Sequence, residues 1–309
     1  MRAPECWSVL FVLVISVTAS ADEEPQKKDD PFAGRRLADV KKKLAEIAAV
    51  SKASERTAEH AALRRLKAFR YLAGVPYEDV VLDAEMNRTA KAAAEICAKL
   101  GRLDHSPRNP GLPEEQYELA RKGAASSNLG YFGRANPDNL ARSVDMFMDD
   151  SDAINIDRVG HRRWCLNPAM KKVGFGQSES GKFTAMMAHD SSRDPRPDFD
   201  FISWPPRGPV PVTYFSPRHA WNVSLNPAKY KAPKKDVKVV VQEVGGKALM
   251  LNYTNVNNDG FGVPACIIFR PDLEKLVPGK RYQVQIDDLE QADGTATSIR
   301  FVVTFVSLK

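Results

Sequence analysis

The apolar residues change period partway along the chain, and this limits the fold more than any other feature. Ala62, Leu66, Phe69 and Ala73 recur at helical spacing, as do Met86, Ala90, Ala93, Cys97 and Leu100. The second set is framed by Asp83, a strong N-cap residue, and by Gly101, suited to a left-handed helix end. EEQYELARK reads as a short helix before GAASSNLGY, and Asn139 is placed to cap a helix carrying Leu140, Val144, Phe147 and Met148 on one face. Then the period shortens. KKVGFGQS and KFTAMMAH are strand-length runs joined by a Ser- and Gly-bearing turn. Beyond the Pro- and Asp-rich stretch SRDPRPDFDFISWPPRGPVP lie VKVVVQEV, ALMLNYT, PACIIF, YQVQID and IRFVVTFV, with GG, NNDG, PGK and ADG between them. Helices followed by evenly punctuated strands define an α+β chain ending in an antiparallel β-sandwich of about 100 residues.

The 309 residues exceed one average domain, and the N-terminus belongs to none. Arg2, the apolar run WSVLFVLVISV (7–17) and TASA (18–21) form a secretory leader with cleavage after Ala21. That run is too short for a membrane span and no other comes close, so a soluble, secreted or periplasmic protein is expected. The expected boundaries are 1–21 leader, 22–56 charged helical spacer, 57–205 first domain and 206–309 sandwich.

Net charge is +6, and its excess falls mostly after residue 205 as interspersed lysines and arginines. There is no basic stripe with interleaved aromatics, so nucleic acid is not an expected partner. Cys97, Cys165 and Cys266 remain after the leader: an odd number with no zinc spacing. Cys97 and Cys266 fall inside apolar patterns and read as buried hydrophobes.

Five histidines are candidates for chemistry: His60, His105, His161, His189 and His219. Five stretches carry a family likeness. LRRLKAFRYLAGVPYEDVVLDAEMNRTAKAAAEICAKLGRLDHS is followed by ASSNLGY, then by SVDMFMDD, VGHRRWCLNP and KKVGFG. In this order they resemble the CAP superfamily (cysteine-rich secretory, antigen 5 and pathogenesis-related proteins) in its bacterial SCP-like form. The resemblance implies an α-β-α sandwich with a cleft where two histidines and two acidic residues meet. By motif match His105 and His161 take the histidine positions, and Ser127, beside Asn128, stands where members carry an acid. The other acid falls at Asp150, with Asp149 as a rival, because DAINIDRV (152–159) separates them from His161.

Two neutral imidazoles facing one cleft could bind zinc; His189, at a strand end before Asp190, reads first as a surface cap and second as a residue that could complete such a site. A serine does not exchange protons near neutral pH unaided, so Ser127 in place of an acid weakens acid–base chemistry. No Gly-x-Ser-x-Gly elbow supports Ser127 as a nucleophile. A structural reading of His161 stands beside the chemical ones: Gly160 lets the chain turn, and Trp164 and Leu166 can anchor the segment.

The leading expectation is a non-catalytic extracellular or periplasmic module that binds a small ligand, lipid or peptide in a cleft of His105, Ser127, Asn128, Asp150 and His161. A second is a zinc-dependent hydrolase with His105 and His161 as ligands and Asp150 as acid or base. A third is structural adhesion at the cell envelope. The C-terminal LVPGKRYQVQIDDLEQADGTATSIRFVVTFV resembles bacterial Ig-like modules. NVNNDG (255–260) reads as a hairpin turn rather than a calcium loop, and Trp204, Tyr214, Phe215 and Trp221 as packing at the domain junction.

Overall fold

The computed structural model describes Phe32 and residues 34–309. The leader expected over 1–21 lies outside the described residues. Among those described, no helix is long and apolar enough to cross a membrane.

The first half is a sheet between two helix pairs. Helices α1 (Leu37–Ala48), α2 (Ala58–Leu72), α3 (Ala84–Leu100), α4 (Glu114–Ala125), α5 (Asn139–Asp149) and α6 (Gly160–Cys165) precede or interleave with β1 (Val81–Leu82), β2 (Ser127–Tyr131), β3 (Lys172–Gln177) and β4 (Phe183–Met187). The strand order is β1-β3-β4-β2, with β1 parallel to β3 and the other pairs antiparallel. Helices α3 and α4 pack together on one face; α2 and α5 pack together on the other. This is the expected α-β-α sandwich, and the β3–β4 hairpin is as read from the sequence.

Local chemistry explains the elements. Asp83 caps α3 by accepting from the amides of Glu85 and Met86, and Gly101 ends it at φ 67°. Gly174 and Gly176 of β3 let α3 lie directly on the sheet, since a Cβ at either would overlap the α3 backbone at Met86 or Lys91. Asn139 is not a cap. It is the first helical residue, fully buried, and its side-chain amide donates to the carbonyls of Arg134 and Gly181. The charged segment expected as a solvated spacer folds back as α1, burying Val40 and Leu44 against α2.

Two four-stranded sheets follow. One has the order β5-β7-β10-β9 from β5 (Phe201–Trp204), β7 (Trp221–Leu225), β10 (Cys266–Pro271) and β9 (Leu251–Asn257). The other has β6-β12-β11-β8 from β6 (Gly208–Pro211), β12 (Ala296–Val306), β11 (Arg281–Glu290) and β8 (Lys238–Glu243). All neighbours are antiparallel except β6 and β12. The sandwich therefore starts at Phe201, ahead of the expected boundary at 206, inside the Pro-rich stretch. Ile299, Phe301, Val303 and Phe305 of β12 alternate inward as a half-buried strand should. One core runs through both halves: Phe69 of α2 meets Trp204 and Tyr214 edge-on, at 5.4 and 5.2 Å between centroids. Of the aromatic set, Trp204 and Tyr214 thus pack the junction as expected, whereas Trp221 packs inside the sandwich on Phe269, Tyr282 and Phe305.

Candidate functional site

The site is built where α5 hands over to α6. Asp150, just past α5, sits in the left-handed region (φ 44°), which turns its carboxylate back towards α6. Its Oδ1 lies 2.9 Å from Nδ1 of His161, and its Oδ2 accepts from the Arg162 amide at 3.3 Å. The Asp150 side chain is 1% exposed, and a carboxylate tolerates that only when its oxygens are occupied. The His161 side chain is 21% exposed. An ionised Asp150 makes Nδ1 the protonated nitrogen, so Nε2 is an acceptor, and no described residue bonds it.

Asn128 supports the same helix from β2. Its amide donates to the His161 carbonyl at 3.1 Å and lies 3.7 Å from the Cys165 thiol, which burial pushes upward in pKa. Strand alternation puts Ser127 and Leu129 on the opposite, α3-facing side of the sheet. The Ser127 hydroxyl is buried without a hydrogen-bond partner among the described residues, so no contact to a histidine base exists there.

Of the adjacent aspartates, Asp150 reaches His161, whereas Asp149 faces His219 of the sandwich, with Nε2 at 3.3 Å. Burial opposes ionisation of Asp149. The His219 bond and charge, with Ser151 and Arg162, outweigh it and hold the carboxyl below its ordinary pKa. His105 lies in an exposed loop, its Nδ1 2.8 Å from the Ala124 carbonyl. His189 stacks on Trp164 at 4.0 Å and 24°. Desolvation of its ring against Trp164, and then the charges of His105 and His161, lower its pKa to about 4.

Among the described residues no group of three or more His, Cys, Asp or Glu side chains is placed to hold a metal ion. His105 and His161 offer one free nitrogen each, short of the three protein ligands of catalytic zinc. The donor set does not fit a resident zinc, and His189 does not complete it.

Three arginines escaped the motif reading. Arg70, fully buried in α2, donates to the Cys165 and Asn167 carbonyls at the C-terminal end of α6. Arg162 and Arg163, 0% and 1% exposed, point into the sandwich. Their only sequence signal is two consecutive arginines inside an otherwise anchoring segment, HRRWCL. A separate groove of about 530 Å³ lies between α3 and α4, floored by Ile96, Leu112, Leu119 and Ala120, away from the histidines.

A four-stranded sheet between helix pairs, with the Asp150–His161 pair where α5 meets α6, defines the first domain. Residues 58–188, from α2 to just past β4, match the family model of CAP, the cysteine-rich secretory protein family. This segment is a CAP domain, and a β-sandwich follows it. Among curated proteins no match was found.

Proposed function

We propose that this CAP domain is a non-catalytic ligand-binding module that works outside the cytoplasm. One observation carries the reading. Both oxygens of Asp150 are committed, one to His161 Nδ1 and the other to the Arg162 amide. The carboxylate therefore orients the imidazole rather than exchanging protons with a substrate, and His161 Nε2 remains to accept a hydrogen bond from a ligand. The Trp164–His189 stack offers a flat, partly apolar surface near it, suited to a peptide or small polar ligand. Ser127, on the other face of the sheet, brings no second acid. The leader-like N-terminus supports export.

The Asp150–His161 geometry also favours a second reading, since a buried carboxylate on Nδ1 is how a hydrolytic general base is held. Side-chain NMR of the histidines during titration with short acetylated peptides, and with aryl esters as turnover probes, separates the two. Ring shifts at His161 and His189 without turnover are the expected result. Ester or peptide cleavage abolished by His161→Ala would replace the binding reading with the hydrolase.

A further inference from the structure

The segment between Asp150 and His161 looks like an insertion in the sequence, yet it is where the two halves of the molecule are joined. Ile156 and Val159 form a small core with Ala220, Cys266 and Ile268 of the sandwich. This explains why β10 has four consecutive buried residues, Cys266 to Phe269: one face packs the sandwich interior, the other packs the insertion. Polar contacts follow the same seam. Ser151 Oγ accepts from the Ala220 amide at 2.8 Å, and the Asn255 amide donates to the Asp157 carbonyl at 2.6 Å.

Arg162 and Arg163 then commit α6 to the sandwich. Arg162 Nε donates to the Met148 carbonyl at 2.7 Å; its Nη1 donates to the Ala220 carbonyl at 2.7 Å and to Asn222 Oδ1 at 2.9 Å. Arg163 donates to the Val263 carbonyl at 2.8 Å, to Asn257 Oδ1 at 2.7 Å and to the Asp259 carbonyl. Its guanidinium also lies 5.1 Å from the Phe261 ring centre. Burial lowers the pKa of both arginines, and their buried donors are satisfied by carbonyl and amide oxygens, many from strands or loops beyond residue 219. The backbones close up to match. A Cβ on Gly160 would stand 2.9 Å from the Phe261 ring, and Gly262 packs on Trp164.

We propose that the β-sandwich is an obligate half of the CAP site, with Arg162 and Arg163 as positioning residues for His161. His161 and its Asp150 partner bracket the docked segment, so the place of α6 relative to α5 is set by what that segment and the two arginines grip. The proposal locates the support of the cleft read above as ligand-binding. It concerns the Asp150–His161 bond itself, so it stands or falls independently of whether a ligand binds.

The test uses the full chain and the downfield Nδ1–H proton signal of His161. Arg163→Met, compared with Arg163→Lys and with Asn257→Ala, changes the grip without touching Asp150 or His161. In folded Arg163→Met the His161 signal is lost or broadened by solvent exchange, and Arg163→Lys restores part of it. The ring signal of His60 on α2, bonded to the N-cap residue Thr57, stays unchanged as an internal control. A folded Arg163→Met with an unaltered His161 signal overturns the proposal, even if its melting temperature falls. Should Arg163→Met not fold, Asn257→Ala decides: a shifted His161 signal supports the proposal and an unshifted one overturns it.

Discussion

At the scale of residues, one proton position governs the site. Asp150 fixes the protonated nitrogen of His161 from a side chain that water scarcely reaches. Asp150→Asn removes the charge that this contact uses, and its NH2 then faces either His161 Nδ1 or the Arg162 amide, where an oxygen accepted before. A hydrogen bond to a charged group contributes about 2 kcal/mol, so urea unfolding of the variant should show a loss near that size. His189 gives the chain a pH dependence of definite sign. Its folded pKa lies at about 4, below the ordinary value, so between the two the unfolded state binds more protons. Stability is therefore full above about pH 6.5 and declines as pH falls towards 4. His189→Phe keeps a ring on Trp164 but does not titrate, and its melting temperature should vary less between pH 7 and 4. An equally steep profile would assign the dependence to other groups. The motif match named His105, Asp150 and His161, and of these Asp150 and His161 are in direct contact. It could not distinguish Asp149 from Asp150, because the left-handed turn after α5 that aims them apart leaves no composition signal.

At the scale of elements, legibility follows how local the determinants are. Asp83 and Gly101 act within a few residues of themselves, and both ends of α3 stand where they were read. Asn139 misleads because its amide serves contacts from a distant turn at Gly181 as well as from its own. β6 was hidden by its two prolines and β5 by the Pro-rich stretch around it; both are short edge strands, and at the edge a missing amide in β6 costs least. The glycines of β3 resemble turn residues in sequence, yet their role is contact with a helix. Gly176→Ala would force α3 off the sheet, at about 3 kcal/mol by the usual cost of overpacking. Gly133→Ala, where nothing lies within 4 Å of the new Cβ, should change stability by no more than about 0.5 kcal/mol. Denaturant midpoints of the pair measure the difference, and equal midpoints would mean that α3 adjusts freely.

At the scale of the whole molecule, the change of hydrophobic period correctly separates a helical half from a β half. It says nothing of how closely they join, because the joining groups are not periodic: two arginines, a short insertion and an aromatic from each side. Phe69 of α2 is 2% exposed and lies against Trp204 and Tyr214 of the second half, within a core shared by both. Shared burial couples the free energies of the halves, so neither should unfold while the other stays native. Phe69→Ala removes an aromatic from that shared core, and truncations of this kind cost about 3 to 5 kcal/mol. Trp164 reports on the cleft side of the seam, and Trp204 and Trp221 on the sandwich. Fluorescence from single-tryptophan variants should give coincident unfolding curves in the parent and curves displaced together in Phe69→Ala. Curves that separate, with Trp164 melting first while Trp204 and Trp221 hold, would show two independently stable units. The seam would then be a contact between finished domains rather than part of one folding unit.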